Sequence, residues 1–367
     1  MTDTPLLLTP GPLTTTESVK RAMLRDWGSR DPEFEALTAG VRQGLLRIAN
    51  AGDDYTAVPL QGSGTFAVEA MIASLVAPDD GILVVSNGAY GKRIAEICAR
   101  MGLRHSVLDL PDRAPVPAAA VAEALASGGP FRFAAVVHCE TTSGVLNPIA
   151  EISEICRAAG TEVLVDAMSS FGALPCDAGA LRFAALAASS NKCLQGVPGA
   201  GFVIVRKPLL SRDDHNSPSL VLDLAAQDRQ FSADGQWRFT PPTHVIAALA
   251  QALDELQAEG GPEARRARYA ENCTLLIKGM ADLGFRPVLE PATQAPIIVS
   301  FGEPEDAWFD FQQFYDRLKD EGFAIYAGKM RDHATFRVGV IGDVSPADIT
   351  AFLGAAARVT AAMQARH

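Results

Sequence analysis

Three successive runs predict the fold class: FAAVVHCE at residues 133–140, EISEICRAAG at 151–160 and TEVLVDA at 161–167. The first and third runs are continuously apolar over most of their length, and the middle run has the pattern of a helix. This order of strand, helix and strand is typical of a parallel sheet that is covered by helices on both faces.

The same alternation extends outward from these runs. Strand and helix patterns alternate between residues 55 and 110, and residues 199–207 predict a further strand. Residues 210–242 are polar and irregular and predict a long functional loop. A helical stretch over 243–283 then leads to strand and helix patterns from 296 onward. We predict an α/β fold with a mostly parallel sheet flanked by helices, plus a smaller α+β C-terminal domain.

Composition narrows the class of protein. A chain of 367 residues with 48% hydrophobic and 20% charged residues can bury the cores of two domains. The net charge of -11 argues against a nucleic-acid partner. The sequence has no leader-like opening and no apolar run of about 20 residues, so we expect a cytoplasmic protein with no membrane partner. The six cysteines lack CxxC spacing and are expected to be reduced packing residues, with no disulfide or metal site.

Polar or reactive groups follow five of the predicted strands. The carboxyl ends of parallel strands share one edge of the sheet, and ligands of open α/β sheets bind there. Packing could account for any one of these groups, but it does not readily account for polar groups at five strand ends together. The groups are Ser63 to Thr65, Tyr90, Glu140 to Thr142, Asp166, and Ser189 to Lys192.

The turn GSGT at 62–65 opens a predicted helix and could bind a phosphate through Ser63, Gly64 and Thr65. The longer string GSGTFA also fits a loose dinucleotide motif, which would make the protein a nucleotide-dependent oxidoreductase. Such a site needs an acidic residue after the next strand, where this chain has Ser86 and Asn87. An ordinary βα turn is the third interpretation.

Asp166 and Lys192 occupy costly positions for charged groups. Asp166 ends the apolar run EVLVD and needs a partner there, which could be a protonated pyridine nitrogen or the N–H groups of a following helix. Lys192 lies on a short turn between small residues and a glycine-rich segment. Loss of solvation there would lower its pKa and suit a Schiff base. Lys329, in a predicted loop, is the one rival lysine.

One cofactor would join these groups. Pyridoxal 5'-phosphate needs a lysine for its aldehyde, a carboxylate for its ring nitrogen, donors for its phosphate, a flat side chain against its ring and a donor for its phenolate oxygen. The chain offers, in that order, Lys192, Asp166, Ser63 to Thr65, Tyr90 and Thr142.

Blocks along nearly the whole chain resemble those of the class V, fold-type I pyridoxal phosphate aminotransferases, in the expected order. KCLQGVPG, at 192–199, most resembles the subgroup that transfers the amino group of 2-aminoethylphosphonate to pyruvate. Relatives that use alanine or serine with glyoxylate are the alternative within the same fold. The other blocks are LLLTPGP (6–12), SNGAYGKR (86–93), ETTSGVLNPI (140–149), VDAMSSFGALP (165–175), RFTPPTHVI (238–246) and TFRVGVIGDV (335–344).

The resemblance implies a seven-stranded type of sheet and a homodimer with shared active sites. It also implies an N-terminal segment, 1–14, that packs near the active site and the small domain, a large cofactor-binding domain, 15–260, and a small C-terminal domain, 261–367. The implied products are phosphonoacetaldehyde and L-alanine.

Roles for individual residues follow from the same resemblance. Lys192 and Asp166 match the catalytic pair, Tyr90 the ring-stacking aromatic and Thr142 the donor near the phenolate oxygen. Asn191 stands where relatives often carry a glutamine near the phosphate.

Three further positions each keep an alternative. Thr240 matches a residue that reaches the phosphate of the neighbouring subunit, or else it caps the helix that follows it. Arg337 matches the arginine that binds the acidic group of the substrate, or else it forms a structural salt bridge. Arg30 is a second basic contributor or a member of a surface ion pair.

Overall fold

A computed structural model describes residues 4–212, 217–328 and 334–365. Its strands are β1 (Leu6–Leu7), β2 (Tyr55–Gly62), β3 (Ile82–Ser86), β4 (His105–Asp109), β5 (Phe133–Val137), β6 (Cys139–Glu140), β7 (Val145–Leu146), β8 (Glu162–Asp166), β9 (Ala185–Ser189), β10 (Gly199–Arg206), β11 (Ile298–Gly302), β12 (Phe323–Ala324), β13 (Tyr326–Ala327) and β14 (Thr335–Gly339). Its helices are α1 (Glu17–Arg21), α2 (Pro32–Ile48), α3 (Gly64–Leu75), α4 (Ala89–Arg100), α5 (Ala118–Ser127), α6 (Ile149–Ala158), α7 (Ala178–Leu181), α8 (Leu224–Asp234), α9 (Thr243–Glu259), α10 (Gly261–Asp282), α11 (Phe311–Asp320) and α12 (Pro346–Gln364), with short 3₁₀ helices at Ala22–Leu24 and Lys207–Ser211.

The central sheet has seven strands within the described residues, in the order β2-β10-β9-β8-β5-β3-β4. The five consecutive strands β9, β8, β5, β3 and β4 all run parallel to one another. Strand β10 is antiparallel to both β9 and β2. The predicted α/β fold with a mostly parallel sheet is confirmed.

Both faces of this sheet are buried. Val163 and Val165 of β8 point into one apolar cluster, which contains side chains of α2, α5, α6 and α9. Leu164, between them, points into the other cluster, which contains side chains of α3, α4 and α8. Successive side chains of a strand point to opposite faces, so a strand buried on both faces needs an unbroken apolar run.

The prediction of a long irregular loop over 210–242 is wrong, because this segment contains the helix α8. The Asp223 carboxylate accepts a hydrogen bond from the Ala226 N–H at 2.9 Å and caps the start of the helix. Gly235 ends it in the left-handed conformation with φ +77°. Leu224 and Phe231 are buried against the sheet, and the polar residues between them hid this pattern in the sequence.

The C-terminal part has its own core. Strands β11, β14 and β13 form an antiparallel sheet that packs with α10 and α12 around buried apolar side chains. The N-terminal segment reaches this part of the chain, because β1 pairs with β12 and Leu8 is buried in the same core. The helical stretch over 243–283 forms α9 and α10, which are separated at Gly260, where φ is +108°.

All six cysteines are buried and free, as expected from their spacing. Within the described ranges, every helix is too short or too polar to cross a membrane.

Candidate active site

Lys192 and Asp166 lie at the same edge of the central sheet. Asp166 is the last residue of β8 and pairs with Val137 of β5 and Ala187 of β9. Lys192 follows the end of β9 in the next loop. The two side chains are close enough for the charge of each to shift the pKa of the other.

The loop that carries Lys192 is fixed by hydrogen bonds. The Gly196 N–H donates to the Ser190 carbonyl at 2.8 Å, and the Gln195 N–H donates to the Lys192 carbonyl at 2.8 Å. The buried side-chain amide of Gln195 donates to the Tyr269 hydroxyl at 2.6 Å. Tyr269 belongs to α10, so the loop is held by the C-terminal part of the chain as well as by the sheet.

The N-terminal segment packs directly on Lys192. The Lys192 Nζ donates to the Pro10 carbonyl at 2.7 Å. Gly11 has φ +115°, and a Cβ there would lie 2.7 Å from Lys192 Cδ. Burial lowers the pKa of Lys192 to about 8; the Arg337 charge adds to this effect, while Asp166 opposes it. An amine with this pKa is partly neutral near physiological pH and can accept a proton.

Asp166 is a buried carboxylate with an oxygen to spare. Its Oδ1 accepts from the Met168 N–H at 3.0 Å, and no described residue donates to its Oδ2. Burial raises the pKa of Asp166 to about 6, while the Met168 N–H and the charges of Arg93 and Lys192 oppose the rise. Residues 168–173 form turns, so the predicted alternative of a cap for a following helix is not realised. The free oxygen suits a protonated ring nitrogen.

The GSGT turn presents donors at the start of α3. The Ser63 side chain is exposed and makes no capping hydrogen bond, and the first N–H groups of a helix have no intrahelical partner. A Cβ on Gly64 would lie 2.3 Å from Met168 Sδ, so this turn packs tightly against the turn after Asp166. Thr65 Oγ1 accepts from Arg93 Nη1 at 3.2 Å. These groups can hold a phosphate.

Tyr90 and Thr142 both lie next to the Glu140 carboxylate. Tyr90 is half-buried in the first turn of α4, and the Arg93 guanidinium carbon lies 4.8 Å from the centre of its ring. A cavity of about 320 Å³ is bordered by Gly88, Lys92, Arg93 and Thr142.

Thr142 is tied to a buried carboxylate. Its hydroxyl donates to Glu140 Oε1 at 2.5 Å, and its N–H donates to the same oxygen at 3.2 Å. The Tyr90 N–H donates to Glu140 Oε2 at 3.1 Å. A Cβ on Gly88 would lie 2.3 Å from Glu140 Cδ, so the carboxylate fills the space between the two turns.

Arg337 reaches this edge from β14 and is buried. Its Nε donates to the Ala327 carbonyl and its Nη1 to the Thr141 carbonyl, both at 3.1 Å. Among the described residues no carboxylate forms an ion pair with it, so the alternative of a structural salt bridge is not supported. Burial lowers the pKa of Arg337. Two of its five N–H groups are used, which leaves donors for an anion.

The remaining predicted residues lie as follows. Asn191 is half-buried, and its Oδ1 accepts from the Ser189 hydroxyl at 3.1 Å. Thr240 is exposed, and α9 begins without a side-chain cap, so the capping alternative for Thr240 is wrong. Arg30 is exposed and forms no ion pair within the described part of the chain, contrary to the surface-pair alternative. Lys329 lies outside the described residues.

Three contributors were missed by sequence reasoning. Arg93 was detectable, because it follows Tyr90 by three residues on a helix and such pairs are neighbours. Glu140 was seen only as a residue at a strand end. The contact of Pro10 with Lys192 joins distant parts of the chain and leaves no local signal.

Comparison with known proteins places this chain in a family. Residues 17–339 match the family described as Aminotransferase class-V. A protein of Polaromonas sp. named 2-aminoethylphosphonate–pyruvate transaminase 2 is 51% identical over 344 residues, which cover 94% of this chain and 92% of that protein.

Solved structures agree with the fold. Pyridoxamine-pyruvate aminotransferase from Mesorhizobium loti has a TM-score of 0.90 at 26% identity and covers 98% of this chain and 93% of its own. Alanine–glyoxylate aminotransferase from Nostoc sp. has a TM-score of 0.89 at 26% identity and covers 97% of this chain and 95% of its own.

The GSGT turn is therefore part of an aminotransferase fold, and the interpretation as a nucleotide-dependent oxidoreductase is set aside. The chain belongs to the class V aminotransferase family.

Proposed function

We propose that this protein transfers the amino group of 2-aminoethylphosphonate to pyruvate, with pyridoxal 5'-phosphate as cofactor, and yields phosphonoacetaldehyde and L-alanine in phosphonate catabolism. The observation that carries the proposal is Arg337, a buried arginine without a carboxylate partner among the described residues, which lies near enough to Lys192 for its charge to lower the pKa of the lysine. The name and 51% identity of the Polaromonas relative support the choice of substrates.

The residues at the edge fit the cofactor. When bound, pyridoxal 5'-phosphate supplies an electron-accepting ring that lets a proton leave the carbon next to the substrate nitrogen. Lys192 would hold its aldehyde, the free oxygen of Asp166 would face its ring nitrogen, and Tyr90 would lie against the ring. Its phosphate would take the donors of residues 63–65, with Asn191 nearby.

Lys192 moves the proton in this proposal. Its lowered pKa of about 8 leaves a neutral fraction of the amine. This fraction can accept the proton from the substrate carbon and later return it to the carbon on the other side of the substrate nitrogen. Asp166 keeps a negative charge, or shares a proton, at the ring nitrogen, which favours the protonated ring.

Arg337 would bind the acidic end of both substrates. A planar guanidinium makes paired hydrogen bonds to either a phosphonate or a carboxylate. One arginine can therefore serve the amino donor and pyruvate in turn. The same property leaves alanine or serine with glyoxylate as a second candidate, which the fold similarity to the Nostoc enzyme favours.

We also propose a cytoplasmic homodimer with shared active sites. Large apolar side chains are exposed around Thr240, and a second copy of the chain would cover them and bring Thr240 to the phosphate of its neighbour. The six free cysteines suit a reducing compartment. The exposed side chains are Phe66, Leu220, Val221 and Phe239.

A panel of amino donors tests the function. With pyruvate as acceptor, kcat/KM should be highest for 2-aminoethylphosphonate when it is compared with alanine, serine and phosphonate-free ethylamine. A preference for alanine or serine with glyoxylate would support the second candidate. Lys192→Ala is the control and should be inactive with every donor.

A further inference from the structure

Glu140 is a buried carboxylate for which the proposed function has no role. It is fully buried at the end of β6, between the turn that carries Tyr90 and the turn that carries Thr142. Among the described residues its hydrogen bonds come from Tyr90 and Thr142, and none comes from a cationic side chain. An ionised carboxylate in such surroundings is costly, so its protonation state needs an account.

The hydrogen bond between Thr142 and Glu140 limits what Thr142 can do. Thr142 Oγ1 lies 2.5 Å from Glu140 Oε1, and a hydroxyl group has one proton to donate. If Glu140 is ionised, it has no proton to give, and the Thr142 proton must lie in this bond. Thr142 could then only accept a hydrogen bond from any other group. This conflicts with its proposed role as a donor to the phenolate oxygen of the cofactor.

A proton on Glu140 removes the conflict. The acid would donate from Oε1 to Thr142 Oγ1, which leaves the hydroxyl proton of Thr142 free to be donated to another group. The Oε1 atom could still accept from the Thr142 N–H, and Oε2 from the Tyr90 N–H. Each hydrogen bond in the structure is therefore compatible with the neutral acid.

The surroundings also favour the neutral acid. Burial raises the pKa of Glu140, and the negative charge of Asp166 at the end of β8 adds to the rise, while the three hydrogen bonds oppose it. Arg337 on β14 is near enough for the charge of Glu140 to raise the arginine's pKa, yet the two groups form no ion pair.

Resting on the proposed function, we propose that Glu140 is a positioning residue that carries a proton in the cofactor-loaded enzyme and so makes Thr142 a hydrogen-bond donor to the phenolate oxygen. One proton passes from water to Glu140 Oε1, and the hydrogen bond between Glu140 and Thr142 reverses its direction. No bond between heavy atoms forms or breaks.

Two measurements on the pyridoxal phosphate-loaded protein test this. The infrared spectrum of the wild type should contain a carbonyl band of a protonated carboxyl group that is lost in Glu140→Gln. The pH titration of the cofactor's visible absorbance should have nearly the same midpoint in both proteins, within about 0.3 pH units, because the glutamine Nε2 can replace the acid as donor to Thr142 Oγ1, although it cannot accept the 3.2 Å hydrogen bond from the Thr142 N–H.

Thr142→Val is the matched variant that removes the donor itself. The phenolate oxygen then loses a hydrogen bond, so the midpoint should move about one pH unit upward, which is a tenfold change in proton affinity. Glu140→Ala should behave like Thr142→Val, because Thr142 loses the partner that orients it, whereas Glu140→Gln should restore the wild-type titration. A merely structural role would not produce this pattern.

Two results of these measurements would overturn the proposal. A wild type without an acid band, or a Glu140→Gln midpoint displaced by about one unit, would overturn the proposal, since both are expected of an ionised Glu140. If Glu140→Gln does not fold, the acid band should shift in frequency in Thr142→Val, and an unchanged band would count against it. A wild type that binds no pyridoxal phosphate would defeat the proposed function as well.

Discussion

Replacing Arg337 by alanine removes the charge that is proposed to bind both substrates. Two of its N–H groups serve the carbonyls of Thr141 and Ala327, which leaves three for an anion. A hydrogen bond to a charged group contributes about 1.5 to 3 kcal/mol, which corresponds to roughly a 10- to 150-fold change in binding. We expect kcat/KM for 2-aminoethylphosphonate and for pyruvate to fall in the Arg337→Ala variant by about this range.

The same substitution should change the pH dependence. The positive charge of Arg337 lowers the pKa of Lys192, which lies at about 8 in the folded protein. Without that charge the pKa rises, so a smaller fraction of Lys192 is neutral at a given pH. The rise of kcat with pH should therefore move to higher pH, as measured by steady-state kinetics across the pH range with saturating substrates.

Two further variants control this experiment. Arg157→Ala removes an exposed arginine of α6 without an ion pair among the described residues, and its kinetics should equal those of the wild type. Arg337→Lys keeps a positive charge but lacks the planar fork, so its kcat/KM should lie between those of the wild type and the alanine variant. The cofactor absorbance should persist in all three. Unchanged kcat/KM in Arg337→Ala, or loss of that absorbance, would refute the assignment of this residue to the substrate.

Three other outcomes are expected. Lys192→Ala should lose at least about 10²- to 10⁴-fold in turnover, because positioned proton transfer is lost, while its circular dichroism stays native. Gly11→Ala would place a Cβ 2.7 Å from Lys192 Cδ at φ +115°, and urea unfolding should show a loss of about 1 to 2 kcal/mol; Gly40→Ala, with no neighbour within 4 Å, should be neutral or stabilising. The pKa of Asp166 is raised from 3.8 to about 6 by burial, so its carboxyl group ionises less readily in the folded protein than in the unfolded chain. The free energy of unfolding therefore falls as pH rises through this window. Cofactor-free wild type should therefore lose about 2 kcal/mol relative to Asp166→Asn between about pH 4 and pH 7, and a constant difference in urea unfolding would contradict this.

The parts of the fold that local patterns determine were predictable. Strand β8 is apolar along its length because both faces of the sheet are covered, and this pattern is visible in EVLVD. Asp166 and Lys192 stand out because a charged group beside such a strand needs a specific reason. The helix α8 was missed because its few buried side chains, such as Leu224 and Phe231, are separated by polar residues.

Contacts between distant segments could not be predicted. The hydrogen bond from Lys192 to the Pro10 carbonyl depends on the pairing of β1 with β12, which brings the N-terminal segment over the edge of the sheet. The absence of an ion-pair partner for Arg337 among the described residues is likewise a property of the packed structure. In the sequence, Arg337 alternates with apolar residues, and this pattern fits a structural salt bridge as well as it fits substrate binding.

The most direct test of the account asks which amine holds the cofactor. The protein is loaded with pyridoxal 5'-phosphate, reduced with sodium borohydride to fix the cofactor to that amine, and digested for peptide mass analysis. We expect the added mass to be on Lys192, and prior addition of 2-aminoethylphosphonate should prevent the labelling. A label on Lys329 or another lysine, or labelling that 2-aminoethylphosphonate does not affect, would contradict it.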